Sequence, residues 1–104
     1  MRLAVICTRD ISDPTVTKYI HSRIKSITAC AHESVLRALR DIVIIRGIEL
    51  FAIPVTDTDA VIKASEQLIE AADEIIVFRN EDETLLRAVI DHARKSKKHL
   101  TLVI

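Results

Sequence analysis

MRLAVICTRDISDP, residues 1–14, sets the architecture: an unbroken apolar run ends at a cysteine and a threonine, and a charged pair and Ser-Asp-Pro follow. Arg2 to Thr8 has strand length and no polar alternation, the pattern of a strand covered on both faces. Ser12-Asp13-Pro14 supplies an N-cap residue and a proline at the first helical position. Val16, Ile20 and Ile24 then recur every four residues with Tyr19 beside them, which predicts a helix to about Ile24.

The same alternation continues along the chain. Ser26 to Cys30 is a short β-tending run. From Glu33 the spacing is helical, with Val35, Leu36, Leu39, Ile42 and Val43 on one face and Arg46-Gly47 as the stop, the only glycine serving as C-cap. Ile42 to Ile45 is β-branched, yet Ile48 to Val55 follows so closely that two adjacent buried strands would need a hairpin that Arg46-Gly47 provides poorly. Thr56 to Asp59 offers N-caps for a helix through Val61, Ala64, Leu68 and Ala72. Glu74 to Phe78 is a clear apolar strand, Glu81 to Ser96 an amphipathic helix with Leu86, Val89, Ile90 and Ala93 inward, and Leu100 to Ile104 a last strand. The order βαβαβαβαβ demands crossover connections. The expected fold is therefore an α/β Rossmann-like domain spanning 1–104, a five-stranded parallel sheet in order 3-2-1-4-5 with helices on both faces.

Composition narrows the function. The 104 residues suit one domain with a single core. Fifteen basic and fifteen acidic side chains cancel, so no broad field draws the chain to nucleic acid, which becomes an unlikely partner. MRLAVIC lacks a small-residue cleavage site, and no apolar run reaches membrane-spanning length, so neither signal peptide nor membrane span is expected. Asparagine and glutamine occur once each among many charges, a thermophile's habit. Cys7 and Cys30 are too few for a secreted disulfide scaffold and lack metal-ligand spacing; a cytoplasmic protein with no cofactor and no metal is expected. If they end neighbouring strands, the two thiols come close enough to bridge.

In open parallel sheets, ligands bind beyond the carboxyl ends of the strands where the strand order reverses. That point brings together Cys7-Thr8-Arg9-Asp10 and Arg79 to Thr84, with Ala31 to Ser34 alongside. Arg9 is suited to clamp a phosphate or carboxylate, oriented by Asp10, although a local ion pair and helix cap would use the same residues. Glu81, Asp82 and Glu83 suit a helix N-terminus without any function; the functional version makes Glu83 a nucleophile or general base toward a nucleoside. His32 lies beyond the second strand near Cys30, with Cys7 as a second candidate thiol, and invites a Cys-His arrangement, for which no third orienting group is identifiable. His21, His92 and His99 read as surface residues, and Arg94-Lys95 with Lys97-Lys98 as cations at the carbonyl end of the last helix.

VICTRDISDP followed by a helix resembles the opening of YspA-like proteins of the SLOG superfamily, Rossmann-like domains related to DprA and to LOG-type cytokinin-activating enzymes, where a strand ends in Gly-Ser-Arg-Asp. The likeness continues through Thr28 to Ala31, Arg46-Gly47-Ile48, Phe51 to Pro54, Ala72 to Phe78, Thr84 and Ala93 to Lys98. It implies a nucleotide or nucleotide-derived ligand at the switch point, contacted by Thr8, Arg9 and Asp10 and faced by Thr84, with Asn80 alongside. Two departures stand out: Cys7 replaces a glycine, and TACAHES stands where the family has a glycine-rich turn, so side chains would crowd a phosphate that backbone amides normally approach. The arginine-glutamate motif of LOG-type phosphoribohydrolases is not visible. Three readings follow: non-catalytic binding of a nucleotide-like small molecule; a degenerate domain acting in protein interaction, most simply as a homodimer through a surplus apolar face at Ile42 to Ile45; and a nucleoside N-glycosidase or deoxyribosyltransferase-like enzyme using Glu83.

Overall fold

The computed structural model describes residues 1–7, 17–54, 58–78 and 85–103. In chain order the elements are β1 (Arg2–Cys7), a 3-10 turn (Thr17–Tyr19), β2 (Ser26–Ala31), α1 (Glu33–Arg46), β3 (Glu49–Pro54), α2 (Thr58–Ala71), β4 (Glu74–Phe78), α3 (Leu85–Lys95) and β5 (His99–Val103). The strands form one parallel sheet in the order β3-β2-β1-β4-β5, the expected topology.

Register explains why the strand sequences are apolar without alternation. Leu3, Val5 and Cys7 lie in line with Ile27, Ala29 and Ala31 of β2, and Val5 and Cys7 with Ile76 and Phe78 of β4. These residues form one face, which packs on Val35, Leu36 and Leu39 of α1 and on Ile20 and Ile24. Ala4, Ile6, Cys30, Ile75 and Val77 form the opposite face, against Leu68, Ile69 and Ala72 near the end of α2 and Val89, Ile90 and Ala93 of α3. Both sets are needed because helices cover both sides, and each large aliphatic side chain so buried contributes about 1.5–3 kcal/mol. The cover is incomplete at the edge: Phe51 and Ile53 of β3, in line with Thr28 and Cys30, remain 59% and 37% exposed.

The first crossover differs from expectation. Residues 8–16, including the proposed cap at Ser12 to Pro14, lie outside the described residues. From Thr17 onward there is one 3-10 turn and then irregular chain, so no α-helix reaches Ile24. Ile20 and Ile24 are nonetheless buried, as their spacing required. The chain reaches the core there by a turn in which the Ile24 amide donates to the His21 carbonyl (3.1 Å), and Lys25 is already laid against β1 through its amide bond to the Met1 carbonyl (3.0 Å). A four-residue apolar spacing is thus satisfied by two anchor points rather than by a helical stripe.

Helix ends are specified locally. Ile42 to Ile45 belongs to α1, and Gly47 ends it at φ 67°, its amide and that of Ile48 both donating to the Val43 carbonyl. Nothing lies within 4 Å of the position a Gly47 Cβ would take, so the demand for glycine is conformational alone. After α3 the same left-handed role falls to Lys97, at φ 61°. The basic cluster beyond α3 serves a neighbour: the Lys98 ammonium donates to the Ile69 and Glu70 carbonyls (2.5 and 2.7 Å), capping α2. Gly47→Ala is expected to cost roughly 1–2 kcal/mol, and Lys97→Gly to return up to about the same amount, in urea unfolding. Equal midpoints for both variants and the parent would show that these backbone angles are not held.

Candidate functional site

The carboxyl ends of the strands form the expected switch point. Cys7 is in register with Ala31 on one side and with Phe78 on the other, so β1 and β4 release their following segments from adjacent positions. Thr8, Arg9 and Asp10 from the first of these segments, and Asn80, Glu81, Asp82, Glu83 and Thr84 from the second, lie outside the described residues. What is described is the shelf they leave from: Cys7, Ala31 and Phe78 buried, and His32 half-buried at the start of α1.

The β2–α1 junction is a single residue. The His32 amide donates to the Cys7 carbonyl (3.0 Å), extending the β1–β2 ladder one step past Ala31. At φ −60° and ψ 151° His32 is the N-cap of α1, and its Nδ1 accepts from the Ser34 amide (3.3 Å) with the Ser34 hydroxyl 3.2 Å away. An acceptor at Nδ1 places the proton of the neutral ring on Nε2. The His32 carbonyl in turn accepts from the Val35 and Leu36 amides (3.0 and 3.1 Å). The amides of His32, Ser34, Val35 and Leu36 are thereby engaged within the protein. In a glycine-rich turn such donors face a phosphate; here a histidine ring and two carbonyls take them. Cys30 and Ala31 stand in β2 itself, 1% exposed each, so their side chains fill the core rather than crowd a loop.

The cysteines do not bridge. Cys7 lies with Leu3 and Val5 on the α1 face, whereas Cys30 lies with Ala4 and Ile6 on the α2–α3 face, and neither is disulfide-bonded. Cys30 pairs with Ile6, one position short of Cys7, and one position in a strand reverses the side-chain direction. The same geometry separates the Cys30 thiol from the α1 face that His32 caps. Burial pushes the Cys30 thiol upward from its ordinary value.

A polar contact that the sequence reading did not find sits at the amino end of the sheet. His21 Nε2 is 2.9 and 3.0 Å from the two carboxylate oxygens of Glu74, while its Nδ1 accepts from the Arg23 amide (3.2 Å). The partners are 53 residues apart and meet only because β4 starts beside β1. Position in the chain gives no sign of the pair. His21 is exposed, as expected, but it stands on a loop and has a partner.

No family model matches the chain, and no curated protein and no solved structure is significantly similar to it. Among the described residues no helix is long and apolar enough to cross a membrane, and no cluster of three or more His, Cys, Asp or Glu side chains is placed to hold a metal ion.

The thiol geometry is open to test. Cys30 is expected to resist alkylation in the folded protein and to react fully in urea, as read by intact-mass spectrometry. Because its folded-state value is raised, its contribution to stability is intact below the ordinary thiol value of 9.0 and is lost as pH rises from there through the higher folded-state value. Stability should therefore fall above about pH 9, and less steeply in Cys30→Ala. A native-state disulfide in non-reducing peptide mapping would refute the face assignment.

Proposed function

We propose that the chain binds a nucleotide or nucleotide-derived small molecule at the carboxyl ends of β1 and β4, without catalysis, as a SLOG-like domain. The observation that supports this reading most is the strand order, which reverses between β1 and β4 and sets their last residues, Cys7 and Phe78, side by side. Thr8, Arg9 and Asp10 would meet the ligand from one side, Asn80 and Thr84 from the other. With the His32, Ser34, Val35 and Leu36 amides engaged internally, recognition falls chiefly to side chains, and Arg9 is the natural phosphate or carboxylate clamp. A thermal-shift panel of nucleotides, nucleosides and cyclic or dinucleotide messengers tests it. A ligand at 100 times its Kd adds about 2.7 kcal/mol, a rise of several degrees in a domain of this size. The rise should come from one nucleotide class and vanish in Arg9→Ala. A flat panel on folded protein would overturn the reading.

A second reading, homodimerisation, is favoured by the surplus apolar surface on α1. Ile42 and Val43 pack against the core, but Ile44 and Ile45 are 78% and 83% exposed on a helix whose core face is already covered. Sedimentation equilibrium should then give a dimer for the parent chain and a monomer for the double variant Ile44→Lys, Ile45→Lys, with unchanged circular dichroism. A parent chain that stays monomeric at high micromolar concentration would rule the dimer out.

A further inference from the structure

The amino end of the sheet, opposite the switch point, holds a cavity of about 490 Å³ between the chain segment that precedes β2 and the end of α1. Small-molecule sites fall in this range, roughly 300–1,000 Å³. Its lining divides by chemistry. Ile24 is buried and Ile48 half-buried, and they give it an apolar side. Lys25, Arg46 and the Ser22 hydroxyl give it donors, whereas both ring nitrogens of His21 are engaged, Nε2 by the Glu74 carboxylate and Nδ1 by the Arg23 amide. Among the described lining residues none is a carboxylate, although the whole chain carries as many acidic as basic side chains.

The two long cations are rooted in fixed backbone. The Lys25 amide donates to the Met1 carbonyl and its carbonyl accepts from Glu49, so the residue is clamped between the starts of β1 and β3. Arg46 is tied at the far wall by one Nη1 bond to the Ile20 carbonyl, which leaves the other guanidinium donors. The closing turn of α1 commits the Val43 carbonyl to the amides of Gly47 and Ile48. Gly47 presents no side chain, with open space where a Cβ would stand. His21, whose Nε2 is held by Glu74, is the one basic lining group with a carboxylate partner; among the described residues Lys25 and Arg46 have none. Lys25 and Arg46 thus bring two cationic side chains to one cavity, where an anion would find a charged donor from each.

We propose that this cavity is a second ligand site, for a small organic anion whose phosphate or carboxylate lies between Lys25 and Arg46 and whose apolar body rests on Ile24 and Ile48. It is independent of the switch-point reading, because it lies at the other end of the sheet and uses none of its residues.

Amide chemical-shift titrations at constant ionic strength separate the two sites. The probes are inorganic phosphate, citrate and phenyl phosphate. Saturable shifts are expected at residues 20–25 and 46–48, with phenyl phosphate binding more tightly than inorganic phosphate because its ring adds apolar contact. Lys25→Gln, at an exposed position with no side-chain partner to lose, should weaken phenyl phosphate roughly tenfold or more, the scale of one charge-assisted hydrogen bond. Arg46→Gln should do the same; since it also removes the Ile20 contact, its spectrum is read beside that of Lys25→Gln, which leaves that contact in place. Shifts that stay linear with concentration, or that survive Lys25→Gln unchanged, would overturn the proposal. Shifts confined to Cys7, His32 and Phe78 would overturn it as well and would locate anion binding at the switch point instead.

Discussion

Leu3 to Cys7 are each at most 1% exposed, with a parallel neighbour on either side and a helical layer on either face, and the remaining elements take their positions from that burial. Alternate residues of β1 belong to different cores: Leu3, Val5 and Cys7 to one, Ala4 and Ile6 to the other. A slip of one residue would exchange the two sets and present small side chains where large ones are needed. The register is locked at the entry of the strand, where the Arg2 amide donates to the Asp73 carboxylate and the Asp73 amide to the Arg2 carbonyl, both at 2.8 Å. It is locked again at the exit, where the His32 amide meets the Cys7 carbonyl. Both ends of the sheet, and hence both proposed sites, inherit their geometry from this one strand.

How much of this was legible in the sequence follows from which interactions are local. Uninterrupted apolar runs identify doubly covered strands, and Arg46-Gly47 marks a helix end that the left-handed Gly47 bears out, so the strand order could be reasoned to. The faces of Cys7 and Cys30 could not, because side-chain direction depends on a register set between strands more than twenty residues apart. Val16, Ile20 and Ile24 show the converse limit. The spacing identified Ile20 and Ile24 as core residues, but a turn braced by the His21 carbonyl buries them as well as a helix would. Lys98 reads as a cation for its own helix and caps another, a choice made by the tertiary approach of α2 and α3. The switch-point side chains, Thr8, Arg9, Asp10, Asn80, Glu83 and Thr84, were reached through fold logic and lie outside the described residues, so for them the sequence reading stands by itself.

The β2–α1 junction has a physical reason to do without glycine. A glycine-rich turn works by leaving amides unpaired and side chains absent, which costs backbone entropy and core volume. Here Cys30 and Ala31 remain in the strand and fill two different cores, and His32 enters the helix directly, using its ring and its carbonyl to take the Ser34, Val35 and Leu36 amides. Glycine at 30 or 31 would remove buried atoms from a packed layer, and the tight junction would still keep the amides engaged. Placing a glycine at either position would therefore lower stability without creating a phosphate cradle. If the switch point holds an anion, it does so with guanidinium and hydroxyl groups carried on the segments after β1 and β4. At the opposite end, by the same logic, binding would rest on the fixed roots of Lys25 and Arg46. In both places the means of recognition is a side-chain charge positioned by a rigid ladder, which suits a chain that has a single glycine and uses it to end a helix.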